Sequence, residues 1–292
     1  MIEIKGLSHS FDKKCVLKDI NLSIPDGTIL GVVGINGAGK STFLRLLSGV
    51  YETENTVLYD GKSPMSAETR KDIFFLPDDP YYTGASTPKK LFEFYRTFYP
   101  EIDISVFDSF LSEYKIDKRK SLRTFSKGMR RQVFIAVALA VKPKYMLLDE
   151  TFDGLDPLSR KLFKDAIIKL VEEENATVII TSHSLRELED FCDKFVLIDN
   201  TQIKSEGDIA DHVSRLCKFN LAFTSDVSRE AFDGMPIASL DIKGRFVTAV
   251  FEGDADEIRA HLETLSPAVI DEMPLDFEEA FIHDVLSGRG NK

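Results

Sequence analysis

Gly34-Ile35-Asn36-Gly37-Ala38-Gly39-Lys40-Ser41-Thr42 is the stretch that decides the fold. The apolar run Ile29-Leu30-Gly31-Val32-Val33 precedes it, and Phe43-Leu44-Arg45-Leu46-Leu47 follows at helical spacing. Strand, glycine-rich turn and helix in that order are the setting that a phosphate-binding loop needs. Glycines let the backbone close around a phosphate chain, with N–H groups and the positive helix end facing it. Lys40 adds a mobile charge within reach of the outer phosphates, and the Ser41 hydroxyl is placed to ligate Mg²⁺. An incidental Gly-rich turn would require Gly34, Gly39, Lys40 and Ser41 to coincide in this context. The loop therefore reads as a nucleotide site.

With 292 residues the chain can hold one large domain and a smaller one, and 43% apolar residues can fill their cores. A net charge of −11 and a pI near 5.1 argue against a broad cationic surface for nucleic acid or anionic lipid. Cys15, Cys192 and Cys217 have neither metal-like nor paired spacing and read as free thiols in a reducing cytoplasm. The opening Met1-Ile2-Glu3-Ile4-Lys5 lacks a signal-peptide pattern, and no apolar run approaches the roughly 20 residues that span a bilayer. Any membrane role is expected to come through a partner.

Ahead of the loop, Ile2/Ile4, Val16/Leu17 and Ile20/Leu22/Ile24 predict short antiparallel strands, with Pro25-Asp26-Gly27 as a turn. Phe11 stands in the polar turn Ser10-Phe11-Asp12-Lys13-Lys14, where it either stacks on a base or folds back onto the strands. After the loop, Thr56 to Gly61 reads as a strand and turn. Ile73-Phe74-Phe75-Leu76-Pro77 reads as a buried strand ending before Asp78-Asp79-Pro80. Helical spacing then runs from Thr87 to about Ala140, a helical block of about residues 85–140 inserted between strands. Within it, Ser126 of Phe125-Ser126-Lys127-Gly128-Met129-Arg130-Arg131-Gln132 caps a strongly apolar helix and, with Gly128, leaves N–H groups accessible to an anion.

Tyr145 to Glu150 is an apolar strand ending in two carboxylates. Beside a phosphate loop, Asp149 can hold Mg²⁺ through water while Glu150 polarises an attacking water; without such a loop, two adjacent acids could simply be solvated. Thr151 to Pro157 is a loop, Leu158 to Glu174 an amphipathic helix, and Thr177 to Ser182 a buried strand that ends at His183. A lone histidine in that place is usually structural. Phe195 to Ile198 and Gln202-Ile203 form a hairpin around Asp199-Asn200.

Phosphate loop, Ser-x-Gly helix start, strand to Asp-Glu, Gly-Leu-Asp loop and strand-terminal His, in this order, resemble the ATP-binding subunits of ABC transporters over about residues 1–208. The resemblance implies an α/β P-loop NTPase of ABC type, with a mixed core sheet, an antiparallel β subdomain and an inserted helical subdomain. It implies ATP and Mg²⁺ as cofactors and ATP hydrolysis as the activity. Phe11 would stack on adenine, and Gly34 to Thr42, including Asn36, Gly37 and Ala38, would be the Walker A loop. Asp149 and Glu150 would be the Walker B pair, with Glu150 as general base and His183 as the γ-phosphate switch. Ser126 and Gly128 would close over ATP held by a second ATPase subunit, identical or not, and Asp156 would bridge the subunits. The partner to be driven would be a separate integral membrane permease, leaving this chain cytoplasmic and peripheral to the inner face of the membrane.

Two departures from the family pattern bear on mechanism. Asp78 stands where the family usually has a glutamine that contacts Mg²⁺; a carboxylate can still reach the metal, yet when ionised it donates no hydrogen bond, so altered coupling is expected. The signature reads Phe-Ser-Lys-Gly-Met, and Lys127 brings positive charge toward the partner's phosphates. This form resembles bacterial exporters whose ATPase and permease are separate chains.

Residues 209–292 have their own β-α-β-β-α-β pattern: Leu216 to Phe223, Val227 to Phe232, Ile237 to Ile242, Phe246 to Phe251, Asp254 to Leu265 and Ala268 to Met273. A helix from Asp276 to Leu286 follows. The order matches a small α+β, ferredoxin-like accessory domain, read as a packing and dimer-supporting unit. The Leu275-Asp276-Phe277-Glu278-Glu279-Ala280-Phe281 ending again resembles exporter ATPases. Two other classes compete. A soluble ABC-type ATPase, for example in cluster assembly, would share every motif but the permease; a P-loop kinase would lack the Ser126 signature and the His183 switch. Lys40→Ala is expected to weaken ATP binding by about tenfold or more, read by nucleotide titration.

Overall fold

The first two strands are longer than the apolar spacing suggests. β1 (Ile2–Phe11) and β2 (Lys14–Ile24) pair antiparallel from Ile2↔Ile24 to Phe11↔Lys14, and register shifts between Ile4 and Ser10 break the alternation into apparent fragments. The computed structural model describes residues 1–281 and divides into two units, residues 1–206 and 207–292. In the first unit, β3 (Ile29–Val33) leads through the glycine loop into α1 (Lys40–Leu47), and β4 (Val57–Tyr59) completes a three-stranded sheet of order β2-β1-β4. Next come α2 (Ala67–Arg70), β5 (Ile73–Leu76) and the helical block of α3 (Pro88–Arg96), α4 (Ile104–Glu113) and α5 (Lys127–Val141). The chain then returns to the sheet as β6 (Tyr145–Leu148), α6 (Pro157–Glu174), β7 (Thr177–Ser182), α7 (Leu185–Glu189), β8 (Lys194–Asp199) and β9 (Gln202–Asp208).

These strands form a six-stranded sheet of order β5-β6-β7-β3-β8-β9. The pairs β5/β6, β6/β7, β7/β3 and β3/β8 are parallel, and every residue of β3, β6 and β7 is buried, as expected for strands covered on both faces. Asn200 (φ 47°) and Thr201 (φ 70°) turn the chain tightly into β9. The register sets Leu148 opposite Ile180 and Val33 opposite Ser182, so the segments leaving β3, β6 and β7 emerge side by side at one sheet edge. Open α/β sheets bind ligands at such an edge.

Within the helical block, Thr87, Asp103 and Ser126 cap α3, α4 and α5 by accepting backbone N–H groups. From Arg131 to Ala140 every residue of α5 is buried, which accounts for its apolar character on all sides. Helices α2 and α7 span too few residues to show a 3.6 period and are not legible in the sequence.

The second unit contains α8 (Ile209–Ser214), β10 (Leu216–Ala222), β11 (Ile237–Lys243), β12 (Phe246–Glu252), α9 (Ala255–Thr264) and β13 (Val269–Met273). Its sheet has the order β11-β12-β10-β13 with all neighbours antiparallel, so β12 separates β10 from β11. The helix expected at Val227 to Phe232 is instead a 3-10 turn at Arg229–Phe232. The Val227 N–H is spent on Gly244 O, and the backbone of Asp233 and Met235 folds back on Glu230 and Phe232. Residues 277–281 are helical, and residues 282–286 of the expected final helix lie outside the described residues. Phe219, Phe232, Phe251 and Leu262 are fully buried in the core of this unit. Phe219→Ala is expected to cost about 3–5 kcal/mol, read by chemical denaturation of this unit.

Candidate functional site

Gly37 (φ 84°) and Gly39 (φ 105°) occupy left-handed backbone that only glycine adopts without strain. Gly34 is required for space: a Cβ there would lie 2.5 Å from Ile198 O. The loop thus sits hard against β8 and turns directly into α1, whose first turn receives no side-chain cap and holds no acidic residue. Lys40, 5% exposed, donates from Nζ to Gly34 O at 2.7 Å and lies 3.2 Å from Glu150 Oε1. Its ammonium therefore spans the mouth of its own loop.

Behind the loop, Asp149 is 1% exposed, and its Oδ1 accepts from Ser41 Oγ at 3.0 Å and from Thr181 Oγ1 at 2.8 Å. Burial pushes this carboxyl above its ordinary range, while the two hydroxyls pull it back. Thr181 also accepts the Glu150 N–H at 2.9 Å, so one hydroxyl joins both acids. Sequence reasoning missed Thr181; the available signal was a hydroxyl residue two positions before His183 on the neighbouring strand. Glu150 lies in the left-handed region (φ 45°), an uncommon conformation for a non-glycine residue, and its carboxylate reaches both Lys40 and His183. His183 Nδ1 is 3.0 Å from Glu150 Oε2, and that hydrogen bond raises the imidazole pKa above its ordinary 6.5.

Asn36, Gly37, Gly39, Lys40, Ser41 and Thr42 line a cavity of about 520 Å³, with Asp78, Asp153, Glu150 and His183 across from them. Asp153 was not anticipated. Gly34 and Ala38 shape the loop from behind. Phe11, at the end of β1, is 44% exposed, with its ring edge-on to His9 (4.8 Å) and Tyr51 (5.7 Å) rather than sunk in the strand core. Ser126 and Gly128 do not line the cavity. Ser126 Oγ caps α5 through Met129 N at 3.1 Å, and Gly128 packs so closely on the loop after β6 that a Cβ would lie 2.4 Å from Gly154 O. The Asp156 carboxylate caps α6, accepting Ser159 N at 3.0 Å.

A glycine-rich phosphate loop at the C-terminal edge of a parallel sheet, with an acid pair at the end of the next strand but one, defines a P-loop NTPase. The ABC transporter family matches residues 17–153. The ABC transporter ATP-binding protein YtrB of Bacillus subtilis (strain 168) is 31% identical over 285 residues, covering 97% of each chain. The lantibiotic transport ATP-binding protein SrtF of Streptococcus pyogenes is 29% identical, covering 76% of this chain and 98% of its own. A solved ATP-binding subunit of an ABC transporter superposes with a TM-score of 0.66 at 25% identity, covering 73% of this chain and 91% of its own. The chain belongs to the ABC transporter family as an ATP-binding, ATP-hydrolysing subunit. The match to YtrB runs through the C-terminal unit as well.

Because the His183 pKa is raised, its ion pair with Glu150 is complete below pH 6.5 and is lost as pH rises through the raised value. In Glu150→Gln, the His183 titration followed by NMR is expected to move back toward 6.5. An unchanged midpoint would show that Glu150 is not the cause.

Proposed function

We propose that this chain powers a separate integral membrane permease, in the direction of export, by closing as a two-fold, head-to-tail dimer over ATP. The observation that carries this reading is the split site. Lys40, Glu150 and His183 converge on the cavity, while Ser126, exposed, and Gly128 stand outside it at the start of α5. A second copy, or a related ATPase chain, would bring its own Ser126 hydroxyl and Gly128 N–H to the γ-phosphate.

The residues fit a magnesium nucleotide. Asp149 is a buried carboxylate that accepts from two hydroxyl donors, and Ser41, one of those donors, lines the cavity together with Asp78, an all-oxygen set suited to a hard divalent cation. Mg²⁺, when bound, would neutralise charge on the phosphates. Phe11, 44% exposed, would stack on the adenine. Lys40, held by Gly34 O and Glu150, would turn to the γ-phosphate, leaving Glu150 to accept the proton of the attacking water and His183 to hold the phosphate edge.

Among the described residues no helix is long and apolar enough to cross a membrane, so the reading gives this chain a cytoplasmic, peripheral place. Phe94 and Phe98, 58% and 60% exposed, offer the permease an apolar surface on the helical block. Export is supported by the Phe125 to Met129 signature and by the Leu275 to Phe281 ending.

Glu150→Gln is expected to keep ATP binding, to lower turnover by about 10²–10⁴-fold and to accumulate as an ATP-bound dimer in light scattering after gel filtration. Turnover at the wild-type rate would remove Glu150 from its role. Tagged Glu150→Gln protein, isolated from native membranes with ATP in mild detergent, is expected to bring down a multi-spanning protein in stoichiometric amount. Soluble partners alone would overturn the transport reading.

A further inference from the structure

The loop after β6 turns back on itself: Asp153 N donates to Glu150 O at 3.2 Å, and Gly154 follows in left-handed backbone (φ 79°). Because β7 neighbours β6 in the sheet, His183 at the end of β7 meets the same turn. One ligand atom from each of Glu150, Asp153 and His183 lies within 4.8 Å of the other two. Among the described residues no other three histidine, cysteine, aspartate or glutamate side chains converge in this way.

The spacing inside this triad is close to that of atoms bound to one metal ion. Glu150 Oε2 is 3.0 Å from His183 Nδ1. Zinc bonds of about 2.0–2.1 Å at the tetrahedral angle leave two donor atoms about 3.3 Å apart, so this pair has only to part slightly. Lys40 holds the other Glu150 oxygen, Oε1, at 3.2 Å and leaves Oε2 to the triad. The Glu150 N–H is tied to Thr181 Oγ1, which fixes the backbone that carries this ligand. Among the described residues the Asp153 carboxylate accepts no hydrogen bond, and its neighbouring cation is Lys127 Nζ at 4.0 Å, an exposed ammonium that holds it weakly. With 39% of its side chain exposed, Asp153 has room to swing toward the other two.

We propose that Glu150, Asp153 and His183 form a second cation site, built for a divalent transition ion of the zinc class. One imidazole nitrogen with two carboxylates suits Zn²⁺ or Co²⁺, whereas the set around Ser41 and Asp149 offers oxygen alone and suits Mg²⁺. Two carboxylates balance the charge of a dication, and all three residues line the nucleotide cavity, which leaves the remaining coordination position open to it. Resting on the reading of Glu150 as general base, the bound ion stops turnover. It occupies the Oε2 lone pair and ties down His183, while the phosphate loop stays open to nucleotide.

The test uses the full, nucleotide-free chain, with Zn²⁺ as the probe, titrated against a chromophoric chelator in excess Mg²⁺. One Zn²⁺ per chain is expected to bind and to resist displacement by Mg²⁺. Asp153→Asn and His183→Gln are each expected to weaken binding by about tenfold or more, while Cys15→Ser, which removes the exposed thiol, leaves it unchanged. In ¹⁵N-histidine NMR, Zn²⁺ is expected to shift the His183 ring nitrogens of the wild-type chain. Unchanged affinity in both Asp153→Asn and His183→Gln, with wild-type circular dichroism spectra and melts, would overturn the proposal. Unmoved His183 nitrogens at saturating Zn²⁺ would overturn it whatever the variants do. With ATP and Mg²⁺ present, buffered free Zn²⁺ is expected to lower turnover by about tenfold or more, and less in Asp153→Asn. Full turnover with the His183 nitrogens shifted would keep the metal site and remove Glu150 as the base instead.

Discussion

The ammonium of Lys40 is enclosed by its own loop, and a cation out of water must be answered by oxygen on every accessible side. Gly34 O answers from within the loop, and Glu150 from the end of β6, two strands away in the sheet. Gly34 must be glycine because the loop is pressed against Ile198 O, and that pressure fixes where the carbonyl points. Glu150 reaches Lys40 from a left-handed backbone that the Thr181 hydroxyl helps to hold. The same carboxylate then binds His183, so one buried charge organises the residues that leave β3, β6 and β7. The site is neutralised from within until a phosphate competes for the lysine.

A second set of charges lies at the edge of that cavity and connects it to the helical block. Asp78 and Asp153 face Lys127 and Arg131, so an acidic chain concentrates paired cations where its sheet meets α5. The close approach of Gly128 to Gly154 O adds a steric join between the signature helix and the loop after β6. The start of α5 is therefore mechanically continuous with two segments that border the nucleotide cavity, although its own Ser126 never enters it. Packed joins of this kind switch between discrete arrangements rather than deform smoothly.

The phosphate loop, the acid pair, the capped apolar helix and the strand ending in His183 were legible in the sequence because each is local: a run of one period, a glycine turn, a cap. The antiparallel opening was half legible. β1 and β2 carry register shifts that interrupt alternation, so one hairpin reads as several short strands. The helix expected near Val227 gave way to a 3-10 turn because its backbone groups found partners in Gly244 and in the turn itself.

By itself the sequence determined the kind of ligand this chain holds, since glycine, lysine and serine at those spacings, between an apolar strand and a helix, serve phosphate. Only the tertiary structure decided which acid meets which cation. Thr181 joins Asp149 to Glu150 across two parallel strands, Asp78 meets Arg131 across 53 positions, and Asp156 turns to cap α6. The physical reason is range. Backbone preference and hydrophobic period act over a few residues and are written in the chain, whereas the pairing of charges depends on which strands the fold makes neighbours.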